Sequence, residues 1–77
     1  MPINVVQSIL EKSIYKYVLV KLKGNRKIRG KLLGYDQHVN IILDDAEEIR
    51  EDDSTEYLGK IILRGDTIVM ITSCDQE

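Results

Sequence analysis

The chain has 77 residues, 43% of them hydrophobic and 31% charged, with a formal charge of −2, one Cys, one His, no Trp and no Phe. That length holds one domain (1–77) and no second core, and a domain this small commonly gains stability by oligomerising, which buries apolar surface that a monomer leaves wet. A lone Cys74 excludes an internal disulfide and a Cys-based zinc site, and the longest unbroken apolar run, Ile68 to Ile71, is far too short to span a membrane.

The start of the chain carries no basic region followed by an apolar core, so the expectation is a soluble intracellular protein. The small net charge conceals a division. Lys21, Lys23, Arg26, Lys27, Arg29 and Lys31 form a stretch without acids, whereas Asp44, Asp45, Glu47, Glu48, Glu51, Asp52, Asp53 and Glu56 are opposed only by Arg50. Two solvated hairpin faces explain this as well as a charged partner does, because charge segregation alone selects no ligand.

Pro2 suits a first helical turn, and Ile3, Val6, Ile9 and Leu10 recur at helical spacing, which predicts a short amphipathic helix over 2–12. Its polar face lacks the Lys/Arg enrichment of membrane-surface helices. Ser13 and the β-branched Ile14 end it. The period then becomes two: Val18, Val20 and Leu22 alternate with Lys21 and Lys23, predicting a half-buried strand over 16–23. Gly24-Asn25 is a hairpin link, followed by a strand over 26–35. There Ile28, Gly30, Leu32 and Gly34 share one face, and two glycines so placed suggest a strand curled as a small barrel requires.

A third strand is expected over 38–49 from Val39, Ile41 and Leu43, then a polar acidic loop over 50–55. In the fourth strand, 56–64, Leu58 and Ile62 are read on one side and Tyr57, Ile61 and Leu63 on the other. The fifth, 67–72, is apolar at four successive positions, like a strand covered on both faces. One small interior cannot cover both, so the last two strands are expected to meet a neighbouring chain. The order is that of an all-β fold: a helix, then a strongly bent five-stranded antiparallel barrel.

Two stretches interrupt the apolar runs with groups able to contact a base: Gly34-Tyr35-Asp36-Gln37-His38-Val39-Asn40 and Arg64-Gly65-Asp66. An imidazole and a guanidinium offer flat faces for stacking, and an Asn amide offers a donor and an acceptor to a base edge. Asp36 and Asp66 are suited to hold those groups, and Gly65 allows close backbone approach. Taken singly, His38 also reads as a turn residue and Arg64 with Asp66 as a loop ion pair. No nucleophile, base and orienting group assemble from this sequence, so no catalytic residues are assigned; the acidic run lacks the glycine and ligand spacing of a calcium loop, and no metal or cofactor is expected.

Gly34 to Leu43 resembles the first Sm motif, with its glycine, aspartate and asparagine in register, and Lys60 to Ile68, with Ile62-Leu63-Arg64-Gly65-Asp66, resembles the second. The likeness extends over nearly the whole chain and is strongest to the archaeal Sm-like proteins, while Pro2-Ile3-Asn4 and Asp44 to Ile49 also echo a eukaryotic Sm subunit. Cys74 and the acidic tail depart from the Ser-Pro-like ending of many relatives. The resemblance implies a helix-capped, five-stranded bent barrel whose fourth strand pairs with the fifth strand of the next subunit, closing a ring, usually a homo-heptamer. It further implies that His38 and Arg64 sandwich a base, most often uracil, that Asn40 reads its edge, that Gly65 adds backbone contact, and that Asp36 and Asp66 orient the pocket. The expected function is then binding of U-rich single-stranded RNA as a scaffold or chaperone in RNA processing, without enzymatic activity; a structural subunit of a heteromeric ribonucleoprotein ring, acting through protein contacts, is the alternative. The compartment implied is the cytoplasm for the archaeal type, and nucleus or cytoplasm for the eukaryotic.

Overall fold

The computed structural model describes residues 5–74. Pro2, Ile3 and Asn4, the side chain of Val6 and the last three residues of the acidic tail lie outside the described residues. Helix α1 (Val5–Lys12) precedes strands β1 (Tyr17–Leu22), β2 (Arg26–Tyr35), β3 (Ile41–Ile49), β4 (Thr55–Leu63) and β5 (Ile68–Ser73), with a 3-10 turn, Gly65–Thr67, between the last two. Leu10 carries α1 into the core, at 4% exposure, whereas Ile9 points outward at 60%. The helix closes when Ser13 and Ile14 donate back to the Leu10 and Glu11 carbonyls, and Tyr15, in left-handed conformation, turns the chain so that its N–H reaches the Leu32 carbonyl. No helix among the described residues is long and apolar enough to cross a membrane.

The sheet is antiparallel throughout, in the order β4-β3-β2-β1-β5. Period-two alternation places Val18, Val20 and Leu22 of β1, Ile28 and Leu32 of β2, and Ile41, Leu43 and Ala46 of β3 on one buried face, which with Leu10 makes the core. Register shifts at Arg29/Lys31 and Leu32/Gly34 mark bulges that bend β2 around this core.

A short connection forces the curl. Leu63 pairs with Ile41 at one end of the sheet, while Ile68 pairs with Leu22 at the other end and on the opposite edge. In a flat sheet these ends would lie about 19 Å apart across the strands and a further ~30 Å along them. The backbone from Leu63 to Ile68 reaches at most about 18 Å. The sheet therefore rolls until its edges approach, and the Thr67 carbonyl accepts the Lys23 N–H at 2.9 Å. β4 and β5 remain the edges, with no ladder joining them among the described residues.

Three features differ from the alternation read in the sequence. β3 begins at Ile41 rather than at 38, because Asp36 captures the backbone of residues 38–40 in a turn that includes Val39 in left-handed conformation. In β4, Leu58 shares the core-facing side with Ile61 and Leu63, while Ile62 is 69% exposed. The cause is Gly59, at φ +83°, where β4 slips against the bulged Asp44–Ala46 segment of β3; a one-residue slip inverts the faces beyond it. Finally, the basic and acidic stretches are not separate faces. They lie across from each other: Arg26 makes a bidentate pair with Glu48, through Nε at 2.9 Å and Nη2 at 3.0 Å, and Arg29 pairs with Glu47.

Two substitutions test this packing by chemical denaturation. Leu43→Ala, at a fully buried position, is expected to cost about 3 kcal/mol. Gly59→Ala is expected to cost about 1 kcal/mol, because a Cβ disfavours that positive φ. A neutral result at Gly59 would contradict the slip as the origin of the β4 face switch.

Candidate nucleic-acid interface

The turn between β2 and β3 is organised by one carboxylate. Asp36 Oδ1 accepts the backbone N–H of His38 at 2.9 Å and that of Asn40 at 3.1 Å, while Oδ2 accepts from Asn40 Nδ2 at 3.0 Å. This Asx-type capture holds the imidazole and the amide on one short arch. It also fixes which way the amide points, because the acceptor-only carboxylate requires the Asn40 nitrogen beside it. Those bonds, the Asn40 amide foremost, hold the Asp36 carboxyl below its ordinary value.

The other end of that amide reaches the second turn. Asn40 Oδ1 accepts the Gly65 N–H at 2.7 Å, the one partly buried side-chain hydrogen bond of the site. Only glycine fits there: a Cβ on Gly65 would overlap the His38 carbonyl oxygen and stand 3.0 Å from the Val39 carbonyl. The Gly65 carbonyl in turn accepts the Ile68 N–H. Both backbone polar groups of Gly65 are thus bonded within the chain, and Gly65 fits closely beneath the arch. Arg64 carries its guanidinium outward, 77% exposed, with Asp66 at 3.3 Å. Thr67 secures the turn by donating both its hydroxyl, at 2.7 Å, and its N–H, at 3.1 Å, to the Arg64 carbonyl.

The structure therefore brings Asp36, His38, Asn40, Arg64 and Asp66 to the rim of one shallow depression, with Gly65 directly beneath the arch. Three lining residues were not singled out from sequence: Tyr35, Ile42 and Ile62. Ile42 and Ile62 are cross-strand partners on β3 and β4, 37% and 69% exposed, and give the depression an apolar floor. The signal was present in part, since Ile42 stands between Ile41 and Leu43 with opposite parity to both.

The LSM domain family pattern matches residues 8–73 of this chain. An snRNP Sm-like protein of Methanosarcina barkeri is 44% identical over 64 residues, covering 83% of this chain and 89% of the relative. Among solved structures, the P. aerophilum SmAP1 heptamer superimposes with a TM-score of 0.90 at 37% identity, covering 97% of this chain and 100% of that one. The Pyrococcus abyssi Sm protein in complex with a uridine heptamer gives 0.82 at 40% identity, covering 87% and 94%. With both Sm-type motifs joined by the Asn40–Gly65 bond and an open-edged, curled five-stranded sheet behind them, the chain belongs to the LSM (Sm-like) family.

Proposed function

We propose that this chain assembles into a closed ring and binds U-rich single-stranded RNA, one base per subunit, in the depression between the two turns. The observation that carries this reading is the locked orientation of Asn40. With one N–H held by Asp36 and one Oδ1 lone pair held by Gly65, the amide keeps one donor and one acceptor position, and it cannot flip. Uracil presents a carbonyl oxygen beside an N3–H; cytosine presents an amino group beside an unprotonated N3. A fixed amide distinguishes those patterns, whereas a free one matches either by rotating. His38 and Arg64 flank the depression and supply flat faces for stacking, over the floor of Ile42 and Ile62. Asp66 steers the guanidinium. A relative solved with a uridine heptamer supports the choice of ligand.

Ring closure follows from the unpaired edges. β4 and β5 expose Ile62, Val69 and Met70, and each edge carries unsatisfied ladder positions that the other complements. Pairing β4 of one copy with β5 of the next is head-to-tail, and such a contact must close to avoid a filament. Heptameric relatives support seven copies. Each pocket is modest, and repetition around the ring supplies avidity. Asp36 is engaged in holding Asn40 and its turn, and Asp66 in holding Arg64, which suits a scaffold or chaperone rather than a catalyst.

Two sets of measurements check this. His38→Ala and Asn40→Ala should each weaken oligouridylate binding by about tenfold or more at fixed salt, the loss expected for one stacking or base-reading contact, while leaving the oligomer's mass unchanged. Affinity equal to that of the parent would remove the pocket assignment. Asp36→Asn should do something different: the preference for oligo(U) over oligo(C) should fall, because an amide at position 36 no longer dictates the orientation of Asn40. The pH dependence has a definite sign. Since the folded state lowers the Asp36 carboxyl, its contribution is complete above the ordinary carboxylate value and is lost only as pH falls below about 4. Followed by NMR of the His38 and Asn40 amides, the transition should have a midpoint below that of an unperturbed aspartate; a midpoint at the ordinary value would contradict the carboxylate as the organiser.

A further inference from the structure

We infer that Lys21, Lys23 and Lys27, at the β1–β2 hairpin, form a second, sequence-independent site that takes the phosphate backbone of the RNA strand beyond the base pocket. Lys21 and Lys27 are direct cross-strand partners. Like charges placed opposite each other in a sheet are destabilising, so their juxtaposition serves something other than the fold. Neighbouring basic residues are treated differently. Arg26 and Arg29 are each matched to a glutamate on β3 and Lys31 lies over the Tyr17 ring, but among the described residues no carboxylate pairs with Lys21, Lys23 or Lys27. The three line one depression with the Gly24-Asn25 turn and Val69; Glu51 is the carboxylate on its rim, besides the Arg26 guanidinium already held by Glu48.

The curl of the sheet ties the backbone of this hairpin to the turn beneath the base pocket. The Lys23 N–H donates to the Thr67 carbonyl at 2.9 Å, and Thr67 ends the 3-10 turn whose first residue, Gly65, is bonded to Asn40. A strand with a base held between His38 and Arg64 therefore has unpaired ammonium groups within the next few nucleotides of its path. The charges suit phosphate rather than base recognition: compact ammonium groups on flexible stems, with no aromatic side chain lining that depression. The site also resolves how a chain of net charge −2 holds a polyanion. The cross-strand ion pairs engage Glu47 and Glu48 with the β2 arginines and leave these lysines without a carboxylate partner among the described residues.

The inference rests on the pocket reading for the path of the strand, and its test separates the two. Binding of a uridine heptamer is compared with binding of the same heptamer extended at either end by about ten adenosines, for the parent chain and for the combined variant Lys21→Gln, Lys23→Gln, Lys27→Gln, over a series of salt concentrations. The extension should strengthen binding to the parent. In the variant that gain should vanish, and the slope of log affinity against log salt for the extended strand should be shallower by about 2 for each subunit crossed, roughly 0.7 for each lysine-held phosphate, while binding of the bare heptamer is retained. An extension gain that persists in the variant overturns the inference. His38→Ala gives the opposite result, weakening the heptamer and sparing the gain. If the heptamer does not bind but the adenosine strand binds through the lysines, the pocket reading fails and the lysine site stands; if neither strand binds the parent, both fall. Folding is checked independently, because removing the Lys21/Lys27 opposition should leave the melting temperature unchanged or raised, whereas a purely structural role would lower it.

Discussion

The structure depends on the shortness of the connection from Leu63 to Ile68. A span that cannot cross a flat sheet obliges five strands to roll, and the rolling carries the β4–β5 turn from the end of β4 to the Gly24-Asn25 hairpin beside Lys23. The same closure presses Gly65 against the His38 and Val39 carbonyls, where only a residue without a side chain fits. Curl, pocket and glycine are thus one constraint expressed three ways. The Asn40–Gly65 bond is the point where it becomes chemistry under the proposed function, since an amide that serves as a structural strut has a fixed orientation with which to read a base.

Charge is used with similar division of labour. Exposed ion pairs such as Arg26–Glu48, with the arginine side chain 55% exposed, contribute little to stability because solvent screens them. Their larger effect is on register and on the field. Pairing β2 arginines with β3 glutamates selects one alignment of the two strands, so that positive charge without a carboxylate partner is left at the hairpin. Asp45, in left-handed conformation, accepts both tyrosine hydroxyls of its neighbourhood, Tyr17 at 3.3 Å and Tyr57 at 3.1 Å, which holds the bulge across from Gly59. That carboxylate raises both phenol pKa values, for Tyr57 through the hydrogen bond and for Tyr17 after the larger effect of desolvation.

Much of this was legible in the residues. Alternation in 16–23 and 26–35 placed Val18, Val20, Leu22, Ile28 and Leu32 on the buried face, and the two polar interruptions were recognisable as turns that meet. What alternation could not reveal was a change of phase. Gly59 looks like an ordinary strand glycine until its positive φ and the opposing bulge are known, and Ile62 was consequently grouped with Leu58. Nor could composition show that opposite charges on consecutive strands would find each other, because that requires the cross-strand register. The engagement of Gly65 was hidden for the same reason: its N–H is donated to a residue 25 positions earlier, a contact invisible along the chain. Uracil preference was never present in spacing; it came with the family resemblance, and the fixed orientation of Asn40 is the physical basis we propose for it.

We propose that two turns of one chain make a base pocket and that open β4 and β5 edges repeat it around a ring. Native mass spectrometry of the purified chain mixed with a uridine heptamer tests it most directly. The account predicts one discrete assembly of seven chains carrying a single RNA strand, at a mass independent of protein concentration. A monomer, a ladder of masses growing with concentration, or a ring that passes through the spectrometer without RNA would contradict it.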